Sequence, residues 1–178
     1  GTGGILGGSG SLGNTTVAGT IAPGNSIGNL TINGNYVQQA GSKFLVEMQP
    51  PSANDTITIN GTATLNGGTV VALRTAGVYG LGQSYNFLTA TQGISGTFAG
   101  VDNSLFSPFA KMQLRYSANS AYADVVRAAA LASVATTANQ HQTAGAIDAL
   151  STTNSLLQKM VFLDATNALK AFDQLSGD

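Results

Sequence analysis

The sequence predicts a mainly β chain built as a parallel β-helix, closed by a β cap and followed by a short α-helical segment. Three observations predict it. Short motifs recur along the first hundred residues. Bends punctuate them, with Asn-Gly at 33–34, 60–61 and 66–67 and Pro-Gly at 23–24. The composition then breaks: 21 of 23 glycines lie in residues 1–100 and all four prolines before residue 110, whereas residues 128–178 hold two glycines and twelve alanines. The break falls between Tyr122 and Ala130. Three regions are expected: coils in 1–77, a β cap in 78–126 and a helical linker in 127–178.

The coils are read from internal echoes. Ser11–Val17 (SLGNTTV) is echoed fifteen residues on by Ser26–Ile32 (SIGNLTI). Thr31–Gly34 (TING) returns at Thr58–Gly61, twenty-seven residues on. At that offset Gly41 meets Gly68, and Lys43–Val46 meets Val70–Leu73. The unequal spacing predicts fixed short strands joined by loops of variable length. Strands are expected at 31–33, 55–60, 62–65 and 69–73, where apolar and small polar residues alternate. An antiparallel sandwich would also alternate. Repeated corner motifs with little helix between them favour stacked coils. The expected inward positions are Leu12, Val17, Ile21, Ile27, Leu30, Ile32, Tyr36, Phe44, Val46, Ile57, Ile59, Leu65, Val71 and Leu73. Each fully buried large side chain contributes about 1.5–3 kcal/mol.

The cap is expected from aromatic content. Seven of the twelve aromatics lie between Tyr79 and Tyr116, and Tyr122 adds an eighth. Tyr85–Leu88, Gly96–Phe98, Phe106–Phe109 and Gln113–Tyr116 read as its β pieces. An open coil end exposes unpaired backbone and an apolar cross-section, which large rings cover well. Beyond residue 130, Thr136 or Thr137 is expected to cap a helix running to about Leu150. Thr152, Thr153 or Asn154 caps the next, and Asp164 the last, with Gly177 as its stop. Leu157, Met160, Val161, Ala168, Leu169, Phe172 and Leu175 have helical spacing.

Charge and chemistry are sparse. Net charge is −1, and 8% of residues are charged. That leaves no strongly basic surface for nucleic acid. The absence of cysteine removes disulfides and thiolate ligands. No apolar run approaches the roughly 18 residues of a membrane-spanning helix. The chain starts inside a glycine-rich repeat with no signal-peptide pattern, so it reads as a piece of a longer protein. Gly8–Gly13 matches G-x-G-x-x-G, but more β repeat follows it and the first acid is Glu47, so it reads as turns. His141 with Asp148 or Asp164 lacks a nucleophile elbow. Glu47, Asp55, Lys43 and Arg74 form a thin set for hydrolase chemistry and read as loop charges. The N-x-T sequons at Asn14, Asn29, Asn54 and Asn60 are expected in such a composition. No residue is assigned as catalytic, cofactor-binding or metal-ligating.

The wording of the β part carries a resemblance. Gly19–Asn35 (GTIAPGNSIGNLTINGN) resembles the G-T-L-A-P-G-N-S-I-G-T-L-T-V-N-G signature of bacterial autotransporter passengers. Gly41–Glu47, Asp55–Leu65 and Tyr85–Phe98 are similar to the segments that follow it. Asn139–Leu150 and Ala168–Asp178 resemble the helices ahead of the translocator barrel. The resemblance covers nearly the whole chain, in order. It implies type V secretion and a right-handed parallel β-helix of the pectate-lyase kind. It also implies that this chain is the C-terminal autochaperone or junction region plus linker helices. The implied partners are the chain's own translocator β-barrel and upstream passenger coils, with a homo-oligomer through the helices or the open β-helix end as a further option. The implied location is the cell surface or outer membrane of a Gram-negative bacterium, or the medium. The expected role is stem and folding nucleus, not enzyme. An adhesin stem binding host or glycan surfaces is the alternative, and a β-helix hydrolase a more distant one.

Overall fold

A computed structural model describes residues 3–103 and 106–177. The chain circulates through three sheets. The first circuit is β1 (Ile5–Gly8), β2 (Gly10–Leu12) and β3 (Thr15–Val17); the second is β4 (Thr20–Pro23), β5 (Asn29–Ile32) and β6 (Tyr36–Gln38). The third is β7 (Lys43–Gln49), β8 (Ala53–Asn54), β9 (Thr56–Ile59) and β10 (Ala63–Asn66). The fourth is β11 (Thr69–Arg74), β12 (Ser84–Ala90) and β13 (Ile94–Thr97), after which come β14 (Gly100–Asp102), β15 (Ala110–Tyr116) and β16 (Ser120–Arg127). One sheet runs β1-β4-β7-β11-β14, one β3-β6-β10-β13, and one β2-β5-β9-β12-β16-β15. Strands of successive circuits pair in parallel. The exceptions are β8, folded back on β7, and β16, antiparallel to β12. The chain is thus mainly β with parallel sheets and is consistent with a parallel β-helix.

The apolar positions stack because register aligns like with like. Ile21 pairs with Phe44 and Phe44 with Val70; Leu30 pairs with Ile57 and Ile57 with Leu88. All six side chains are buried. Phe87, also buried, directly precedes Leu88, and an irregularity between Asn86 and Leu88 accommodates the two consecutive buried residues. The Phe44 ring centroid lies 5.2 Å from Phe87 and 5.7 Å from Phe98, with Phe87 and Phe98 5.8 Å apart. One polar chain crosses this interior. The Tyr36 hydroxyl donates to Gln38 Oε1, and Gln38 Nε2 donates to Ser42 Oγ at 2.6 Å. Burial holds the Tyr36 hydroxyl well above its ordinary pKa.

The expected loop variability is present. In the first sheet Ile5 pairs with Thr20, Thr20 with Lys43, Lys43 with Thr69 and Thr69 with Gly100, so the circuit lengthens from fifteen to twenty-three, twenty-six and thirty-one residues. The TING echo is a true register: Thr31 pairs with Thr58 and Ile32 with Ile59. Two other echoes do not coincide with register, and the second places two expected inward residues wrongly. The fifteen-residue echo is not a pairing, since Ser11 and Leu12 pair with Thr31 and Ile32. Lys43 pairs with Thr69, not with Val70. That one-residue slip inverts the strand, burying Val70 and Ala72 and turning Val71 and Leu73 outward. Leu12 and Ile27 are also only half-buried, while the other ten expected inward residues are buried.

The chain forms two compact units. Residues 3–78, 83–103 and 112–124 make the first; residues 79–82, 106–111 and 125–177 make the second. The second contains a 3₁₀ turn (Leu131–Val134) and helices α1 (Ala138–Asp148), α2 (Ser155–Met160) and α3 (Ala165–Ser176). Their caps are among those expected. Thr137 forms a capping box with Gln140, Asn154 and Asp164 accept from the first turns of α2 and α3, and Gly177 ends α3 at φ 83°. The buried core of this unit includes Phe109, Leu131, Leu157, Val161, Ala168 and Phe172, whereas Leu175 is exposed.

The aromatics expected to form one cap divide between the units. Phe87 and Phe98 pack within the first, while Phe109 and the Tyr79–Phe106 pair belong to the second. Phe106–Phe109, expected as β, lies outside the strands; β15 begins at Ala110. Pro108 has no N–H for a ladder, and Ser107 Oγ accepts from the Phe109 and Ala110 N–H groups to make a turn.

Candidate functional site

The residues weighed for chemistry are placed in structural roles. Gly8–Gly13 runs through β1 and β2, with Gly8 at φ 102° and Gly10 at φ 145°, and is followed by β3. No helix receives a phosphate there. His141 is exposed on α1. The Asp148 carboxylate takes Arg127 Nη2 at 2.5 Å and the N–H groups of Leu131 at 2.9 Å and Ala132 at 3.1 Å. Asp148 therefore anchors the 3₁₀ turn to α1. Asp164 is spent on capping α3. Asp148 and Asp164 are thus both engaged by backbone donors, and His141 stands on the helix surface. Among the described residues, no group of three His, Cys, Asp or Glu is placed to hold a metal ion.

Asp55 is the most constrained carboxylate. It sits between β8 and β9, only 5% exposed. Oδ1 accepts the Gly28 N–H and Oδ2 the Glu47 N–H, both at 3.0 Å. Its own N–H donates to the Glu47 carbonyl at 2.8 Å. Burial raises its pKa, the two N–H donors lower it, Glu47 raises it, and the net direction is upward. Both oxygens accept from backbone N–H groups, which gives Asp55 a structural role. Lys43 and Glu47 lie on the outer face of β7, and Arg74 ends β11.

This carboxylate explains the loop at residues 24–28 between β4 and β5. The chain must turn back after β4 to present the Gly28 N–H to Asp55. Ser26 takes φ 73° and Gly24 φ 86°. A Cβ on Gly24 would lie 2.5 Å from Asp55 Oδ1 and 2.5 Å from the Ser26 carbonyl. Gly24 is thus fixed by steric exclusion and by left-handed geometry together. Sequence reasoning missed the link between Asp55 and Gly28. The signal was present: they are twenty-seven residues apart, the offset of the TING echo.

Polar ladders complete the corners. Asn14 Oδ1 accepts the Asn35 N–H at 2.7 Å, and Asn35 Oδ1 accepts the Thr62 N–H at 3.0 Å. Asn60 Nδ2 donates to Asn33 Oδ1 at 2.9 Å. Side-chain amides thereby satisfy backbone donors that the bends remove from the sheets. Outward hydroxyls are also tied internally: Asn29 Oδ1 accepts from Thr56 at 2.8 Å and Thr58 at 3.0 Å. Farther along that sheet Arg115 pairs with Asp124 at 2.6 Å and covers the Tyr122 ring at 4.0 Å. These outward groups are engaged with one another.

What the arrangement does is hold circuit to circuit. No protein-family profile matches the chain. It is similar to a protein named extracellular serine protease from Serratia marcescens, 33% identical over 167 residues that cover 87% of this chain. The chain spans 16% of the length of that relative.

Proposed function

We propose that this chain is the C-terminal part of an autotransporter passenger. It serves as a right-handed parallel β-helix stem and folding nucleus, displayed at or released from the surface of a Gram-negative bacterium. The observation that carries the reading is the asymmetry of one of the three sheets. At one end the antiparallel strands β16 and β15 continue the sheet beyond β12, whereas β1, β2 and β3 are the terminal strands at the other. The β16–β15 extension covers that end of one sheet, while the edges of β1–β3 are placed to accept a further parallel circuit. An upstream passenger coil is the proposed occupant of β1–β3, and a translocator β-barrel is the proposed element beyond the helices.

Outside the cell no ATP drives export. Each circuit that docks on the last hinders back-sliding, so folding free energy biases transport outward. The ladders through Asn14, Asn35 and Asp55 bear on this role because each is satisfied only when the adjacent circuit is in place. No catalytic step is assigned to this chain. Similarity to a secreted protein over most of the chain supports the reading, and protease activity stays with that relative. The test is surface display of a longer passenger containing this region, joined to its barrel. Phe87→Asp or Phe98→Asp is expected to lower display while barrel insertion stays intact. Display unchanged by both substitutions overturns the proposal.

A further inference from the structure

Three Asn-Gly dipeptides lie in the coils, and Asn33, Asn60 and Asn66 are all exposed. Sequence alone makes them equivalent targets for intramolecular attack of the following amide nitrogen on the asparagine side chain. Their surroundings differ. The Gly67 N–H, the nucleophile for Asn66, donates to the Thr97 carbonyl at 3.1 Å. Gly61, the nucleophile for Asn60, is buried, whereas Gly34, the nucleophile for Asn33, is half-buried and open to solvent base. Neither the Gly34 nor the Gly61 N–H has an acceptor among the described residues, so of the three nucleophiles that of Asn66 is the one held by a hydrogen bond. Asn33 Oδ1 alone of the three side-chain carbonyls accepts a neighbouring asparagine amide, Asn60 Nδ2 at 2.9 Å.

We propose that Asn33 is a site of selective self-modification to aspartate or isoaspartate, promoted by Asn60. The Gly34 nitrogen loses its proton to solvent base and bonds to Asn33 Cγ. Negative charge builds on Oδ1, where the Asn60 Nδ2–H donates; a fixed donor at the developing oxyanion lowers the barrier. The tetrahedral centre collapses with loss of ammonia and leaves a succinimide. Water then opens either carbonyl, giving aspartate or the β-linked isoaspartate. The only co-reactant is water. The isoaspartyl product lengthens the backbone by one carbon at a corner without spare room, since the Gly34 Cβ position lies 2.3 Å from Asn14 Oδ1. The product loosens the Asn14–Asn35 contact between the first two circuits.

The test incubates the folded chain in mildly alkaline buffer and follows each site by peptide mass mapping with fragmentation that separates isoaspartate. Asn33 is expected to convert ahead of Asn60 and Asn66. In denaturant the three rates are expected to converge, which needs no variant. Asn60→Ala is expected to slow Asn33 roughly fivefold, the rate equivalent of one net hydrogen bond, with the Asn66 rate unchanged as the control for folding. Faster conversion at Asn66 or Asn60 in the folded chain overturns the proposal. So does an Asn33 lead that persists in denaturant, or an Asn33 rate indifferent to Asn60→Ala.

Discussion

Gly61 and Gly145 lie in different compact units and in opposite surroundings. A Cβ on Gly61 would stand 2.4 Å from the Gly34 carbonyl oxygen and 2.5 Å from Asn35 Oδ1. A Cβ on Gly145, inside α1, would meet nothing within 4 Å. The β unit satisfies its backbone between circuits, so the bend residues Gly34, Asn35 and Gly61 are constrained by partners twenty or more positions away. The helical unit satisfies its backbone within each helix, and side chains are needed only at the ends. Tolerance to change should therefore be set by register in one unit and by caps and a small core in the other.

The largest expected effect tests the aromatic interior of the β unit. Phe87 is fully buried against Phe44 and Phe98. Phe87→Ala is expected to cost about 3–5 kcal/mol, measured by denaturant unfolding followed through tyrosine fluorescence and circular dichroism. A loss below about 1 kcal/mol would mean that this region collapses around the cavity and is not rigidly templated by its neighbours. Gly61→Ala comes next, at about 3 kcal/mol, because the obstacle is backbone of the preceding circuit and cannot rotate away. A near-neutral result would show that adjacent circuits slide past each other and would break the contrast with the helical unit.

Asp55→Asn is expected to cost about 1–3 kcal/mol at neutral pH. One side-chain oxygen can still accept, but Nδ2 then faces a backbone N–H. The pH dependence gives a sharper reading. The folded pKa is raised, chiefly by burial. The wild-type carboxyl therefore contributes most below its unfolded pKa of about 3.9, and that contribution is lost as pH rises through the folded value. The deficit of Asp55→Asn relative to wild type should shrink as pH rises from acid toward neutrality. A deficit that grows over that range would mean that the Gly28 and Glu47 N–H groups outweigh burial.

Legibility in the sequence follows the same division. Helix ends depend on contiguous residues, and Thr137, Asn154, Asp164 and Gly177 could be read from local chemistry alone. The TING echo placed Thr31 against Thr58 because repeat and register coincide there. Val71 and Leu73 were misassigned because one residue is absorbed at the corner before β11, and alternation alone cannot locate such a slip. Asp55 looked like a loop charge because its partner, the Gly28 N–H, is a backbone group that side-chain motifs do not advertise. The aromatics were grouped by proximity in sequence, whereas the fold divides Phe87 and Phe98 from Phe106 and Phe109.

The smallest expected effect has the opposite sign. Gly145 lies in the interior of α1, is exposed, and has no steric neighbour for a methyl group. Alanine there restricts the unfolded chain and favours the helix, so Gly145→Ala should stabilise by about 0.5–1 kcal/mol. The measurement is the same denaturant midpoint used for Gly61→Ala, with the slope checked for constancy. A gain at Gly145 beside a loss at Gly61 would establish that one substitution reads two kinds of backbone satisfaction. A loss at Gly145 would mean that α1 is held by something other than its own ladder and the Thr137 cap. The helical unit would then share the intolerance of the coils.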